Sequence, residues 1–252
     1  MIDLHSHVLP GLDDGAEDLL TAVEMCRAAA ADGVTILAAT PHVREDFPTT
    51  PDQMLASLEE LRRAAGAMIR LLPGGEIDLE ELAMRSFDEL AGFALAGNAS
   101  YLLLETPYTG WPLGFGAVVE QLRGRGVTAV IAHPERNWEV QENVGLLTPL
   151  VNAGALVQLT AASVDGRLGR RTQECSFDLL EHRLAHLVAS DAHSPEVRGI
   201  GLSGAVAALG DGGLARWSTD LVPRAIVDGT ALPPRPDWVR PRRRRSLFRR
   251  RD

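Results

Sequence analysis

The first fourteen residues, MIDLHSHVLPGLDD, contain two histidines and three aspartates in a stretch that starts like a buried strand. Similar side chains follow later apolar runs along the chain. They are His5 and His7, His42 in ATPH, Glu76 in GGEI, Glu105 in LLLETP, His133 in AHPER, and Asp191 and His193 in SDAH. Imidazoles and carboxylates suit Mn²⁺, Fe²⁺ and Zn²⁺, and no thiolate lies among them to select a softer metal. The pattern predicts a metal site with more ligands than one ion can coordinate, hence two or three ions.

The apolar runs that precede these residues are continuous rather than alternating, which is typical of strands buried on both faces of a parallel sheet. Helical patterns lie between them. We predict an α/β barrel or an open doubly wound sheet. The predicted strands are residues 2–6, 35–40, 69–77, 101–105, 128–133, 155–160 and 185–190.

The helix predicted after the second strand has clear boundaries. Thr50 is a candidate N-cap, Pro51 suits the first helical position, and Gly66 is the candidate terminator. An earlier helical pattern ends at Gly33, and Pro149 is expected to bend or shorten a later helix. Helices of this kind would carry the chain back after each strand.

The carboxyl ends of the strands meet at one rim in a parallel α/β barrel, which is where such folds hold their active sites. Ligands nearly 190 positions apart could therefore share one pocket. Two histidines do not fit this pattern of ligands at strand ends. His182 lies in a helical pattern, and His186 lies near the start of the seventh strand, at the opposite end from the predicted ligands. The sixth strand, ALVQLT, ends without an ionisable group. Bound ions of this type lower the pKa of a bound water and can neutralise the charge of a phosphate group during in-line attack.

Composition narrows the function further. The chain has 252 residues, 45% of them hydrophobic, and all 25 basic residues are arginine. Nine arginines lie between Arg235 and Arg251, which leaves residues 1–232 strongly acidic and a poor match for nucleic acid. We expect residues 1–232 to form the catalytic domain and residues 233–252 to be a disordered Pro/Arg-rich tail.

The same composition bears on location. Two cysteines, Cys26 and Cys175, do not form a disulfide framework and fit a reducing compartment. Asp3 interrupts any secretory signal, and the apolar runs are shorter than a membrane helix needs. We expect a cytoplasmic protein whose arginine-rich tail is either solvated or weakly attracted to anionic lipid at the inner membrane face, with an acidic partner as a further alternative.

The motifs HSHVLPGLDDG, ATPH, GGEI, LLLETP, IAHPER and SDAH, in this order over residues 1–200, resemble the PHP (polymerase and histidinol phosphatase) superfamily. More narrowly, they resemble its CpsB/CapC-type tyrosine-protein phosphatases. The resemblance implies a distorted TIM-like (β/α)7 barrel with its metal site at the carboxyl ends of the strands. It also implies manganese, and a phosphotyrosine substrate on a bacterial tyrosine kinase that controls capsular or extracellular polysaccharide synthesis.

The resemblance also implies a role for each matching residue. One ion would be held by His5, His7, Glu76 and Asp191, a second by Glu76, Glu105 and His133, and a third by Asp14, His42 and His193. The spacing alone allows either Asp13 or Asp14, and the family pattern selects Asp14. Arg136 and Arg198 would be the catalytic arginines that contact phosphate. Gly75 departs from the family, which often has glutamine there, and the change is expected to alter substrate contacts rather than metal binding.

The resulting hypothesis is attack on phosphotyrosine by a metal-bound hydroxide. Neither cysteine is followed by an arginine at the spacing of a phosphate-binding Cys-x5-Arg loop, so a cysteinyl-phosphate route is not expected. Two alternatives remain. One is a phosphatase for histidinol phosphate or another small metabolite, and the other is a non-catalytic scaffold that acts through its tail.

Overall fold

A computed structural model describes residues 1–195, 199–210 and 213–241. Within them the chain alternates short buried strands with helices. The strands are β1 (Ile2–Asp3), β2 (Ile36–Ala39), β3 (His42–Arg44), β4 (Phe47–Pro48), β5 (Arg70–Pro73), β6 (Glu76–Asp78), β7 (Tyr101–Glu105), β8 (Thr128–Ala132), β9 (Leu156–Thr160) and β10 (Leu187–Ala189).

The helices pack around these strands and return the chain from one strand to the next. They are α1 (Leu19–Ala31), α2 (Pro51–Ala65), α3 (Glu81–Met84), α4 (Phe87–Ala91), α5 (Phe115–Gly124), α6 (Trp138–Glu142), α7 (Thr148–Asn152), α8 (Ala161–Val164), α9 (Arg170–Glu181), α10 (Ser203–Leu209), α11 (Gly213–Arg216) and α12 (Val222–Asp228). Short 3₁₀ turns occupy Leu95–Gly97, Pro134–Arg136 and Val144–Leu147, and a π-helical turn occupies Trp217–Leu221. Each helix in the described ranges is too short or too polar to span a bilayer.

The boundaries of α2 are those that its sequence predicts. The Thr50 hydroxyl accepts a hydrogen bond from Gln53 N (3.2 Å), and the Gln53 side chain accepts one from Thr50 N (2.9 Å). This reciprocal pair satisfies two amide groups at the start of the helix. Pro51 is the first helical residue and Gly66 is the C-cap with a positive φ of 59°. Pro149 lies in the first turn of α7, where it starts a short helix rather than bending a long one.

The strands form two sheets. One has the order β1-β2-β5, and the other has the order β10-β9-β8-β7-β6-β3-β4. All pairs are parallel except β3 with β4, so the prediction of a mostly parallel α/β sheet is confirmed. The predicted third strand is divided at Gly74 and Gly75 into β5 and β6, which belong to different sheets. Over residues 1–195, 199–210 and 213–241 the ladders do not form one closed sheet, so the closed barrel that the resemblance implies is not confirmed.

The two sheets meet where β1 approaches β10. Ser6 and Ala192 form an isolated parallel bridge, and the amide of Asp191 donates to the carbonyl of His5 (2.9 Å). The buried Asp3 carboxylate joins the same two segments by accepting from Ser190 N (2.9 Å). These contacts bring the start of the chain beside residues 190–193, which positions both ends of the predicted ligand set at one edge.

The start of the segment predicted to be disordered packs on the domain. Trp217 Nε1 donates to the carbonyl of Pro233 (3.0 Å), and Trp238 Nε1 donates to the carbonyl of Leu209 (3.0 Å). The Trp238 ring also stacks on Phe177 at 5.9 Å between centroids. The buried indole of Trp217 and the partly buried indole of Trp238, each with its N–H satisfied, hold this irregular stretch in place. Residues 242–252 of the predicted tail lie outside the described residues.

Candidate metal centre

Nine side chains that the sequence singles out meet at one edge of the strands. His5 and His7 follow β1, His42 begins β3, Glu76 begins β6, and Glu105 ends β7. His133 follows β8, Asp191 and His193 follow β10, and Asp14 comes from the loop before α1. The register of the parallel pairs places His42 beside Glu76, at the starts of β3 and β6, and Asp78 beside Glu105, at the ends of β6 and β7. The structure therefore brings together the nine side chains that the sequence singles out.

Glu76 lies at the centre of the cluster and is fully buried. Its Oε1 is 2.7 Å from His133 Nε2, and its Oε2 is 3.0 Å from His42 Nδ1. The same Oε2 is 3.4 Å from the Nε2 atoms of both His5 and His7. Burial alone would raise the pKa of Glu76, but the adjacent imidazoles, His5 and His133 foremost, hold it well below its usual value. Glu76 is therefore present as a carboxylate that faces four histidines.

Asp191 is a second buried carboxylate in the cluster. Its Oδ1 lies 3.5 Å from His5 Nε2 and 3.4 Å from His7 Nε2. Its Oδ2 accepts a hydrogen bond from Arg136 Nη1. Burial would raise the pKa of Asp191, but the charge of His5 and the other basic neighbours lower it well below its usual value. An acid held ionised in this way is ready to coordinate a cation.

The outer part of the cluster contains Asp14, His42 and His193. Asp14 Oδ1 is 3.2 Å from His193 Nε2 and 3.5 Å from His42 Nε2. The hydrogen bond with His42 lowers the pKa of Asp14. Asp14 is the most exposed of the nine, with its side chain 46% accessible. This end of the cluster is the one open to solvent.

The structure places Asp13 and Asp14 differently, a distinction that their spacing in the sequence does not make. Asp13 Oδ2 accepts from His7 Nδ1 (2.7 Å) and from the amide of His42 (3.0 Å), and its Oδ1 accepts from Gly15 N (2.9 Å). Asp13 therefore fixes the His7 ring with Nε2 directed at the cluster, while Asp14 faces the cluster itself. Partners of this kind orient a histidine ligand and raise its basicity.

Gln158 orients the ring of His5 as Asp13 orients that of His7, and the sequence alone does not single it out. Gln158 lies on β9 and its Oε1 is 2.9 Å from His5 Nδ1. A hydrogen bond there places the proton on Nδ1 and leaves Nε2 to face the cluster. The strand that ends without an ionisable group thus contributes through an amide. Asp3, in contrast, accepts from the His5 and Ser190 amides and does not orient an imidazole ring.

The arrangement of donor atoms fits divalent cations. Four sets have ligand atoms within 4.8 Å of one another, and they share members: His7, Asp14, His42 and His193; His5, His7 and Glu76; His5, His133 and Asp191; and His42, Glu76 and Glu105. The first set contains the third group implied by the resemblance and adds His7. His133 groups with His5 and Asp191, although the resemblance places it with Glu105.

Buried polar atoms that lack a hydrogen bond also indicate a metal site. His42 Nδ1, Glu76 Oε2, Glu105 Oε2 and His133 Nδ1 are buried and make no hydrogen bond of normal geometry to any described residue. A buried polar atom without a partner costs free energy, and a carboxylate costs most. Three of these atoms belong to the set of His42, Glu76 and Glu105, so coordination of a cation would satisfy them. The residues present therefore fit a bound metal.

Two arginines border the cluster. Arg136 donates to Asp191, and its Nη2 also donates to the hydroxyl of Tyr108 (2.6 Å). Arg44 Nη1 is 3.5 Å from Glu105 Oε2, and its guanidinium lies 5.2 Å from the centre of the Phe47 ring. The sequence predicts Arg136 but not Arg44, which ends β3, or Tyr108, which lies in the loop after β7. The other predicted arginine, Arg198, lies outside the described residues.

These residues enclose a cavity of about 110 Å³. Its lining consists of Asp14, His42, Arg44, Glu76, Glu105, Tyr108, His133, Arg136, Asp191 and His193. Pockets that enclose a whole small-molecule ligand measure roughly 300–1,000 Å³. The cavity therefore suits a compact group, with the rest of a larger molecule left at its mouth.

The backbone at this edge is unusual at two ligands and crowded at two glycines. His133 and Asp191 have positive φ values of 32° and 51°, a conformation that L residues adopt at a cost. A Cβ at Gly15 would lie 2.0 Å from the carbonyl oxygen of His7. A Cβ at Gly75 would lie 2.8 Å from the buried ring of Phe93, so Phe93 takes the space that a side chain at position 75 would need.

A cysteine nucleophile does not fit the structure. Cys26 and Cys175 are buried, and burial raises the pKa of Cys26 to about 12 and that of Cys175 above its usual value. The reactive form of a cysteine is the thiolate, which neither residue supplies near neutral pH.

Fold and site together define an α/β protein that holds a buried imidazole and carboxylate cluster, bordered by arginine, at the carboxyl ends of parallel strands. Residues 1–211 match the family model described as capsular polysaccharide synthesis, CpsB/CapC. The chain therefore belongs to the CpsB/CapC family, and the resemblance drawn from its motifs is confirmed.

Relatives with assigned activities are similar over most of the chain. The tyrosine-protein phosphatase YwqE of Bacillus subtilis (strain 168) is 36% identical over 207 residues, which is 79% of each chain. The tyrosine-protein phosphatase CpsB of Streptococcus pneumoniae is 26% identical over 216 residues, covering 79% of this chain and 85% of the relative. A solved structure, from work on YwqE and Streptococcus pneumoniae CpsB as metal-dependent tyrosine phosphatases, superposes with a TM-score of 0.83. That match has 31% identity and covers 94% of this chain and 99% of the other.

Proposed function

We propose that this chain is a metal-dependent phosphoesterase that hydrolyses phosphotyrosine on protein. The observation that carries the proposal is the convergence of nine potential ligands in one cluster, seven of which line a small cavity together with Arg136. Such a cavity accepts a compact dianion between cationic groups. Membership of the CpsB/CapC family supports the same activity.

We further propose that the cluster binds two or three divalent ions, with Mn²⁺ the first candidate and Fe²⁺ or Zn²⁺ as alternatives. The ligands would be His5, His7, Asp14, His42, Glu76, Glu105, His133, Asp191 and His193. When bound, such ions supply a water of lowered pKa and neutralise phosphate charge. Asp13 and Gln158 keep the ring nitrogens of His7 and His5 directed at the cluster.

Arg136 is the residue placed to hold the substrate. Its guanidinium lies against Asp191 at one edge of the cavity, so a phosphoryl oxygen entering there meets a fixed cationic donor. Arg198 is proposed as a second phosphate contact on the strength of the sequence pattern. The leaving group is a phenolate, and because tyrosine has a pKa of about 10 it departs without a strong general acid.

Protein rather than a small metabolite is the proposed substrate because the cavity is too small to enclose a whole ligand. The phosphotyrosine side chain would enter and its polypeptide would stay outside. The family description and the activities of relatives favour a tyrosine kinase that controls capsular or extracellular polysaccharide synthesis as the natural substrate.

Three broader expectations complete the proposal. The bridge between Ser6 and Ala192 supports a distorted seven-stranded barrel in which β1 adjoins β10. A cytoplasmic location agrees with the two free cysteines. The arginines of residues 242–251 would allow weak contact with anionic lipid at the inner membrane face.

The test is a parallel assay on a phosphotyrosine peptide and on histidinol phosphate, with and without a strong chelator. We expect activity on the peptide to exceed activity on histidinol phosphate and to disappear on chelation. His5→Ala should abolish activity, while His182→Ala, at the exposed C-cap of α9, should not. Full activity after chelation would refute metal dependence, and a preference for histidinol phosphate would support a small-molecule phosphatase instead.

A further inference from the structure

Tyr108 lies at the mouth of the cavity without being buried. It lines the cavity together with Arg136, and 47% of the residue is exposed to solvent. The Arg136 guanidinium lies 4.9 Å from the centre of the Tyr108 ring, and the Tyr108 hydroxyl accepts a hydrogen bond from Arg136 Nη2. An exposed aromatic ring thus stands next to the group proposed to hold phosphate.

The loop that carries Tyr108 is fixed by backbone contacts rather than by burial of the ring. The Tyr108 carbonyl accepts from Trp138 N (3.0 Å), and the Pro107 carbonyl accepts from Asn137 Nδ2 (2.7 Å). Two residues further on, Gly110 N donates to Glu139 Oε1 (3.0 Å). These contacts hold the backbone of the loop in position, and the hydrogen bond from Arg136 positions the ring, which lowers the entropic cost of a contact with a substrate.

A second aromatic residue near the cluster does not offer the same contact. The Phe47 ring stacks on the imidazole of His42 at 5.7 Å with an angle of 15° between the planes, and it also lies under Arg44. Phe47 therefore packs on a candidate ligand, and it is not among the residues that line the cavity. Tyr108 is the aromatic side chain of the described lining.

We propose that the ring of Tyr108 is a specificity-determining contact that stacks against the aryl group of an aryl phosphate held at the cluster. The inference rests on the proposed function, since it requires phosphate to bind in the cavity. When the phosphate group is bound at the cluster, the organic group attached to its ester oxygen extends through the mouth of the cavity, where Tyr108 lies. Aromatic side chains gain from offset or edge-to-face contact with a second ring beyond simple burial. An alkyl phosphate has no ring to make that contact.

The experiment measures competitive inhibition, so that leaving-group reactivity plays no part. The probes are phenylphosphonate, propylphosphonate and inorganic phosphate, each tested against the metal-loaded full chain hydrolysing p-nitrophenyl phosphate. The variants are Tyr108→Ala and Tyr108→Phe. Leu113→Ala is the matched control, because Leu113 lies on the same loop, is fully exposed and does not line the cavity.

For Tyr108→Ala we expect the inhibition constant of phenylphosphonate to rise about 3- to 10-fold, in line with a single aromatic pair. The constants for propylphosphonate and inorganic phosphate should stay within about 2-fold of the unchanged protein. KM for p-nitrophenyl phosphate should rise with little change in kcat, as for a contact made equally in the ground and transition states. Tyr108→Phe should keep the preference for the aryl probe, and Leu113→Ala should change nothing.

Equal weakening of all three probes by Tyr108→Ala would overturn the proposal, because Tyr108 would then act only through Arg136. An unchanged constant for phenylphosphonate, or a Phe variant that behaves as the Ala variant does, would overturn it as well. Failure of the unchanged protein to hydrolyse any phosphomonoester would refute the proposed function itself, which is a distinct result.

Discussion

We expect one added methyl group at Gly15 to displace His7 and so disrupt the metal centre. It packs against His7, whose carbonyl oxygen accepts from Ala16 N (3.0 Å) at the base of the loop that carries Asp13 and Asp14. In Gly15→Ala the new Cβ would meet the His7 carbonyl oxygen at 2.0 Å and the His7 Cβ at 2.4 Å. Both neighbours belong to a fully buried residue, so neither can move aside without moving the imidazole.

The size of the effect follows from the overlap. Ordinary contact for a Cβ begins near 3.4 Å, so His7 or the loop must shift by about 1.4 Å. A misplacement of about 1 Å in a catalytic site can cost about 100-fold in rate. We expect kcat/KM to fall at least about 100-fold, equivalent to about 2.7 kcal/mol, together with a loss of bound metal.

The assay is phosphotyrosine-peptide hydrolysis at saturating Mn²⁺, combined with metal content after gel filtration and circular dichroism to confirm folding. Gly116→Ala is the matched control, because Gly116 lies in α5 and the methyl group of an alanine there would be 3.9 Å from its nearest neighbour, Leu150 Cδ2. A helical alanine there should be neutral or slightly stabilising. If Gly15→Ala kept the metal content and kcat/KM of the control, the claimed packing of the loop on His7 would be incorrect.

Two further predictions concern residues that act on the cluster or the fold from a distance. Gln158→Leu removes the hydrogen-bond acceptor at His5 Nδ1 and should weaken metal affinity about 10- to 100-fold. Competition with a chromogenic chelator measures that affinity. An unchanged affinity would show that His5 is oriented without Gln158. His186 accepts from Val157 N (3.1 Å) through Nδ1, and burial lowers its pKa to about 4. Because the folded pKa lies below the unfolded value of 6.5, its contribution to stability is complete above pH 6.5 and is lost as the pH falls towards 4, by at most about 3 kcal/mol. His186→Asn keeps a hydrogen-bond acceptor but does not titrate in this range. The free energy of unfolding, measured with denaturant, should therefore fall less between pH 6.5 and pH 4 in His186→Asn than in the control His182→Asn. Parallel pH profiles in the two variants would show that His186 does not cause this loss.

The sequence is most informative where ligand type and strand position coincide. His5, His42, Glu105 and Asp191 each follow or end an apolar run, and parallel strands place such ends at one edge, so their meeting is predictable. Asp13 and Asp14 show the limit of that reasoning. They are adjacent in the sequence, and only the fold of the loop shows that Asp13 contacts His7 while Asp14 faces the cluster.

Other features could not be predicted because their signals depend on tertiary contacts. Gln158 carries no charge and resembles any buried amide on a strand, although its partner His5 lies 153 residues away. Tyr108 belongs to a loop whose position depends on hydrogen bonds with residues 137–139. The composition of residues 233–241 indicates disorder, yet Trp238 anchors this stretch through one hydrogen bond and one ring contact, which composition does not register.

The proposed chemistry requires the nine clustered side chains to hold several cations together. The most direct measurement is a crystal structure of the manganese-loaded protein, with anomalous scattering data collected on both sides of the manganese absorption edge. We predict two or three anomalous peaks within the cluster, with Glu76 in contact with at least two of the ions and Asp13 in contact with none. A single ion elsewhere on the protein, or an empty cluster in a preparation that hydrolyses phosphotyrosine at full rate, would contradict that requirement.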